Sequence, residues 1–197
     1  MKYLICSDIH GSEAAAAAVL RQFSNLHCDR LILLGDILYH GPRNPLPEGH
    51  CPAGAAERLN AAADVILACR GNCDAEVDQM VLHFPIMADY VQVVDDGAAL
   101  FCTHGHVYAP LRADGSVAVP GSAVPDVPAA NSVVFYGHTH IGVLECNSAG
   151  ILVCNPGSPS LPKGGSAAGF AVYERRTVSL FDLDGNLLRT ERLPPQA

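Results

Sequence analysis

The run Y-L-I-C-S-D-I-H-G, Tyr3 to Gly11, sets the reading of the chain: a short β-prone apolar stretch, Tyr3 to Cys6, stops abruptly at polar residues able to hold a metal. Four further segments repeat the shape. Apolar runs at Leu31 to Leu34, Val65 to Cys69, Leu100 to Cys102 and Val133 to Tyr136 lead into G-D from Gly35, R-G-N-C-D from Arg70, T-H-G-H from Thr103 and G-H-T-H from Gly137. Short apolar runs bounded by turn residues read as buried strands. Asp8, Asp36, Asn72, His104 and His138 recur roughly every thirty residues, the length of a strand, crossover and strand unit, which gives an α/β rhythm. Val19, Leu20, Phe23 and Leu26 repeat at helical spacing and predict a helix over Glu13 to Leu26. Two more helices are predicted over Ala53 to Ala63 and Asp74 to Leu82, the last with Asp74 as N-cap. After His140, turn signals at Asn147 to Gly150 and Asp184-Gly185-Asn186 point to antiparallel hairpins. Gly41 to Pro52 and Ala109 to Ala130 read as irregular surface loops.

The chain has 197 residues, 49% apolar and 16% charged, which predicts a single domain over residues 1 to 197 with a substantial core. No apolar stretch approaches the roughly 18 to 20 residues needed to cross a bilayer. Lys2 is followed by too short an apolar run for a secretory signal. The expectation is a cytoplasmic protein without a membrane partner. A net charge of −8 offers no general attraction for nucleic-acid backbones, so no nucleic-acid polymer is expected as a partner. Eight cysteines without C-x-x-C spacing argue against a zinc ribbon. Cys6, Cys69, Cys102, Cys146 and Cys154 read as reduced residues of the strand core.

In α/β sheets ligands gather at the carboxyl ends of strands, where all five polar clusters fall. Asp8 and Asp36 bring two carboxylates, Asn72 one carboxamide and the histidines five imidazoles. A lone D-x-H or G-D is weak, because Asp and Gly are common turn residues. Five such clusters in order are hard to assign to turns. Oxygen and imidazole donors without thiolates suit divalent Mn, Fe, Ni, Co or Zn. The set exceeds what one tetrahedral ion needs and suits a two-metal site with a bridging carboxylate, for which Asp36, alone in its cluster, is the choice.

These residues and their order resemble the calcineurin-like metallophosphoesterases, whose signature runs D-x-H, G-D, G-N-H-D/E, H and G-H-x-H. Within them the likeness is to the small bacterial YfcE-type phosphodiesterases, through H-G-P-R-N (His40 to Asn44), R-G-N-C-D-x-E-V-D-Q-M (Arg70 to Met80) and N-P-G-S-x-S-x-P-K-G-G (Asn155 to Gly165). It covers most of the chain and fades across Tyr108 to Ala130 and after Gly165. The resemblance implies an α/β fold with a sandwich of two mixed β-sheets flanked by helices. It also implies one metal on Asp8, His10, Asp36 and His140 and a second on Asp36, Asn72, His104 and His138. Manganese as a usable ion, attack by a metal-bound hydroxide and a homo-oligomer are implied as well.

The function so read is hydrolysis of small phosphodiesters. A metal-dependent phosphomonoesterase is the alternative within the enzymes, and a binding scaffold of the same fold, such as the retromer scaffold subunit, is the alternative outside them. That all seven proposed ligands are in place favours an enzyme. Two divalent ions, the Asp8 and Asp36 carboxylates and one hydroxide sum to about +1, which suits a diester monoanion. No arginine cluster visible in the sequence adds to that charge.

The candidate catalytic residues are Asn72, Cys73 and His106. Cys73 stands where the broader family has a histidine able to protonate the leaving group. His106 reads as a proton shuttle or orienting residue, or as an exposed loop histidine. Arg43, Asn44 and Lys163 can meet substrate, a neighbouring subunit or only solvent, and Gly157 and Ser158 read as turn chemistry.

Overall fold

The computed structural model describes residues 1–127 and 131–193; the end of the predicted loop, 128–130, lies outside them. The chain runs β1 (Lys2–Cys6), α1 (Glu13–Asn25), β2 (Arg30–Leu33), α2 (Pro52–Asn60), a 3-10 turn (Ala63–Val65), β3 (Ile66–Ala68) and α3 (Glu76–Gln79). It continues through β4 (Tyr90–Asp95), β5 (Ala98–Thr103), β6 (Ser132–Phe135), β7 (Gly142–Cys146), β8 (Leu152–Pro156), β9 (Gly169–Glu174), β10 (Thr177–Asp182) and β11 (Leu187–Arg192).

Two mixed sheets result. The first has order β11-β10-β9-β1-β2-β3 and the second β4-β5-β6-β8-β7. Strands β1, β2 and β3 are mutually parallel, as are β5, β6 and β8. The turns at Asn147 to Gly150 and Asp184 to Asn186 join the antiparallel pairs β7/β8 and β10/β11, as their sequences predict.

Period-two alternation distributes each strand's side chains between two apolar layers. From β1, Leu4 and Cys6 pack against helix residues Ala16, Val19, Ala55 and Leu59. Tyr3 and Ile5 turn the other way, into a layer shared with Leu100, Cys102, Val133, Phe135 and Cys154 of the second sheet. Both faces of β1 and β2 are therefore buried, which is why these strands read as unbroken apolar runs. Over the outer face of the second sheet, Ala109 and Val119 of the long loop cover Tyr136 and Val153. Helix α1 starts on Ser12, whose hydroxyl accepts from Ala15 N at 3.1 Å.

The structure corrects four expectations. The α/β rhythm holds only through β3, because β5 and β6 are parallel neighbours and the described residues between them form no helix. The edge strand β4 was unexpected from its sequence, since its side chains alternate only between exposed and half-buried. Cys146, at the end of edge strand β7, is exposed instead of core.

Asp74 does not cap a helix, since Ala75 precedes the short α3. Its buried carboxylate accepts three main-chain hydrogen bonds, from Asp36 N (2.8 Å), Ile37 N (2.8 Å) and Gly71 N (2.7 Å), and so ties the loop after β2 to the loop after β3. Replacing Asp74 by Asn removes the charge and turns a donor toward N–H groups that need acceptors. We expect Asp74→Asn to cost about 2–3 kcal/mol. Urea unfolding measures it, and an unchanged midpoint contradicts the clamp.

Candidate metal centre

All five polar clusters lie just past the carboxyl ends of parallel strands, β1, β2 and β3 in one sheet and β5 and β6 in the other, where the two sheets meet. The chain turns sharply there: Asp8, His10, Asp36, His138 and His140 have φ between 51° and 67°. Asp and His are among the few side chains that enter this left-handed region readily, still at a cost on the order of 1 kcal/mol each. Main-chain bonds Asp8 N to Gly35 O (3.1 Å), His10 N to Asp36 O (2.9 Å) and Gly137 N to His104 O (2.8 Å) hold the turns in place. The close approach also explains the glycines in G-N and G-H. A Cβ on Gly71 would collide with the carboxylate and main chain of Asp36, and one on Gly137 with Ser7 Oγ and, at 2.8 Å, Asp8 Oδ2.

The side chains form two groups that share one carboxylate. In the first, His10 Nε2 lies 3.1 Å from His140 Nε2 and 3.6 Å from Asp8 Oδ1, which is 3.3 Å from His140 Nε2. In the second, Asn72 Oδ1 lies 3.1 Å from His104 Nε2 and 2.6 Å from His138 Nδ1, and those two nitrogens are 3.3 Å apart. Asp36 Oδ2 stands between, 3.7 Å from His10 Nε2 and 3.4 Å from His104 Nε2. All seven residues expected from the sequence thus converge. Cys73 is beside them, its Sγ 3.2 Å from Asn72 Nδ2 and its N–H donating to Asp36 Oδ1 at 2.8 Å. His106 is half-buried and meets the His104 ring edge-on, centroids 5.3 Å apart.

Three imidazoles are oriented by main-chain carbonyls: His10 Nδ1 on Tyr39 O (2.8 Å), His104 Nδ1 on Leu34 O (2.8 Å) and His140 Nδ1 on Leu161 O (2.7 Å). A carbonyl only accepts, so Nδ1 carries the proton and Nε2 is left to face the site. Asp8 Oδ1 is buried, and no group among the described residues donates it a hydrogen bond of good geometry. A free carboxylate oxygen amid inward-facing ring nitrogens fits a divalent cation bound by oxygen and imidazole.

Burial and neighbouring charge perturb several groups of the site. Burial works against the Asp8 charge, but His104, His10 and His140 hold its carboxyl well below the ordinary range. Burial likewise opposes Asp36, and His104 outweighs it, lowering that carboxyl too. His104 is drawn down by burial and pushed up by Asp8 and Asp36, to about 9. Burial first, and then His104 and Arg70, lower His106 to about 4. In the metal-free site, burial, followed by Asp36, raises the Cys73 thiol to about 12.

Several residues that build the site escape a sequence reading. Asp74 is one. Ser158 is fully buried and donates to Asp8 O at 2.7 Å, with Ser160 at 3.1 Å, so N-P-G-S braces the first ligand turn beyond making a turn of its own. Buried Asn155 donates to Gly137 O (2.8 Å) and Thr139 Oγ1 (3.0 Å). Polar residues directly following an apolar run, as Asn155 does, were the available signal. Arg43, Asn44 and Lys163 line the same cavity as Asp36, Asn72, Cys73, His138 and His140. This settles where they lie, and it removes the premise that no extra positive charge adjoins the site.

A model of the calcineurin-like phosphoesterase superfamily domain matches residues 1–177, and the chain belongs to that superfamily. Phosphodiesterase YfcE of Escherichia coli (strain K12) is 45% identical over 186 residues, 93% of each chain. The solved structure of Yfce, a phosphoesterase from E. coli, superimposes with a TM-score of 0.89 at 42% identity, covering 98% of this chain and 100% of that one. Vacuolar Protein Sorting 29 from Cryptosporidium parvum matches with a TM-score of 0.60 and 13% identity over 97% of both chains, a likeness of fold alone. The expected two-sheet fold and the expectation of a hydrolase of phosphoric esters are borne out by the family and the E. coli relative.

His104 yields a pH prediction for chelator-treated protein. Its folded value, about 9, lies above the ordinary 6.5, so its stabilisation is fully present below 6.5 and is lost as pH rises through 9. Thermal melts of chelated protein should therefore fall across that window. Over the same window metal affinity should rise, with about one proton released per His104 metallated near pH 7.5. Titration calorimetry in buffers of different ionisation enthalpy counts the protons; binding without release contradicts the assignment.

Proposed function

We propose that the chain is a metal-dependent phosphodiesterase acting on small phosphodiesters, with two divalent ions at this site. The observation that carries the reading is the position of Asp36 Oδ2 between two separate groups of donors. Asp8, His10, Asp36 and His140 hold one ion, and Asp36, Asn72, His104 and His138 the other. Manganese is the ion proposed, with Fe, Ni, Co and Zn suited to the same donors. When bound, such ions supply a nucleophile from water at neutral pH and positive charge for the phosphoryl oxygens. Asn72, exposed in the cavity lining and donating its amide to Cys73 Sγ, orients the ester. No membrane or nucleic-acid polymer enters the reading, which includes action in the cytoplasm and, from the family likeness, a homo-oligomer. Among the described residues no helix is long and apolar enough to cross a membrane. Preference for diesters rests on the E. coli relative, because with Arg43 and Lys163 beside the site the charge count by itself does not choose between diester and monoester.

Chelated protein should hydrolyse bis(p-nitrophenyl) phosphate only after Mn or a similar ion is restored. Asp36→Asn should weaken binding of both ions and His10→Ala mainly one, as read by metal stoichiometry after dialysis. Activity persisting in excess chelator, or full stoichiometry in folded Asp36→Asn, argues against the mechanism. A fully metallated protein inert on a broad ester panel favours the scaffold.

Cys73 replaces the family's usual proton donor, and His106, neutral down to about pH 4, keeps little imidazolium at neutrality. The rate should then depend steeply on the leaving group, since general-acid help contributes roughly 10²- to 10⁴-fold. Alkyl diesters should be slow beside nitrophenyl diesters, Cys73→His should narrow the gap, and Cys73→Ala should leave aryl turnover nearly intact. The check is a plot of rate against leaving-group pKa. A shallow wild-type slope made steep by His106→Ala assigns the acid to His106 instead.

A further inference from the structure

We infer that Arg43 and Lys163 form a subsite for a second phosphate, so that the preferred substrate is a small phosphodiester bearing a further phosphate on one of its alcohols. The inference rests on the diesterase reading and deepens it. One cavity of about 340 Å³ is lined both by Asp36, Asn72, Cys73, His138 and His140 and by Arg43, Asn44 and Lys163. That volume is near the lower end for ligand pockets and suits a small molecule.

The cationic wall is built onto the metal side. Lys163 N donates to His140 O at 3.0 Å, which fixes Lys163 relative to a ligand turn. Its ammonium donates to Asn44 Oδ1 at 3.1 Å, and Asn44 Nδ2 donates back to His40 O at 2.9 Å. A Cβ on Gly41 would lie 3.0 Å from Cys73 Sγ, so the Arg43 loop sits directly against the site.

Neither cation has a carboxylate partner among the described residues, although the chain has 20 acidic residues to 12 basic ones. Lys2, Arg58, Arg70, Arg112 and Arg189 are ion-paired; Arg21, Arg30, Arg175 and Arg192 also lack a carboxylate partner among the described residues, but of these unpaired cations Arg43 and Lys163 alone line the cavity of the metal ligands. Two divalent ions, the Asp8 and Asp36 carboxylates and a hydroxide sum to about +1, which a diester monoanion offsets. Arg43 and Lys163 add two charges that the scissile group does not need. A second phosphate, with a charge of about −1.5 to −2, matches them.

The test compares thymidine 5′-(p-nitrophenyl phosphate) with the same ester carrying a 3′-phosphate, on Mn-loaded protein. The leaving group is identical, so the ratio of kcat/KM reads the second phosphate alone. Wild type should favour the phosphorylated ester about tenfold or more, Arg43→Ala and Lys163→Ala should lower the ratio toward one, and Arg43→Lys should recover part of it. A parallel calorimetric measurement compares thymidine 3′,5′-bisphosphate with thymidine 5′-monophosphate and needs no turnover. Both esters inert, with the binding preference present and lost in the variants, removes the diesterase reading and leaves the subsite standing. Turnover with no preference in wild type, or a preference unchanged in both folded Ala variants, overturns the subsite and leaves the diesterase reading intact.

Discussion

Two carboxylates, Asp8 and Asp36, are buried side by side where the sheets meet, and their neighbours are arranged to make that burial tolerable. Removing an ionised carboxylate from water costs several kcal/mol unless donors or cations replace the solvent. His138 N reaches Asp8 Oδ2 at 3.0 Å, Cys73 N reaches Asp36 Oδ1, and the Nε2 atoms of His10, His104 and His140 face the remaining oxygens. The left-handed turns, the cramped glycines and the raised His104 all follow from packing so many donors around two anions.

The fold delivers those donors because both sheets end at the same edge. Strands β1 to β3 and β5 to β6 point their carboxyl ends one way, and the apolar layer between the sheets fixes their relative height. Tyr3, Ile5, Ile32 and Leu34 on one side meet Leu100, Cys102, Val133 and Phe135 on the other. The site is thus anchored by interior packing on the residues immediately preceding each ligand turn.

The sequence was most legible where one residue type has one use. Apolar runs buried on both faces stand out, and all seven donors after them converge as their order suggests. Half-buried segments were harder: β4 shows exposed and half-buried positions with little contrast, and Cys146 reads apolar while facing solvent. Asp74 was misassigned for a different reason. An Asp shortly before a helical stretch is an ordinary cap in one dimension, and only the pairing of β2 with β3 brings Asp36 and Ile37 within its reach. Arg43 and Lys163, 120 positions apart, could not be joined without the tertiary structure.

The three buried histidines of the site lean on carbonyls of Tyr39, Leu34 and Leu161 instead of on acidic side chains. A carbonyl is common to all amino acids, so drift at positions 34, 39 and 161 can alter packing without deleting the group that aims each ring. The tautomer of these ligands is inherited with the path of the main chain. Descendants of this sequence can therefore remodel the walls of the cavity, and with them the choice of substrate, while the metal-facing nitrogens keep their bearing.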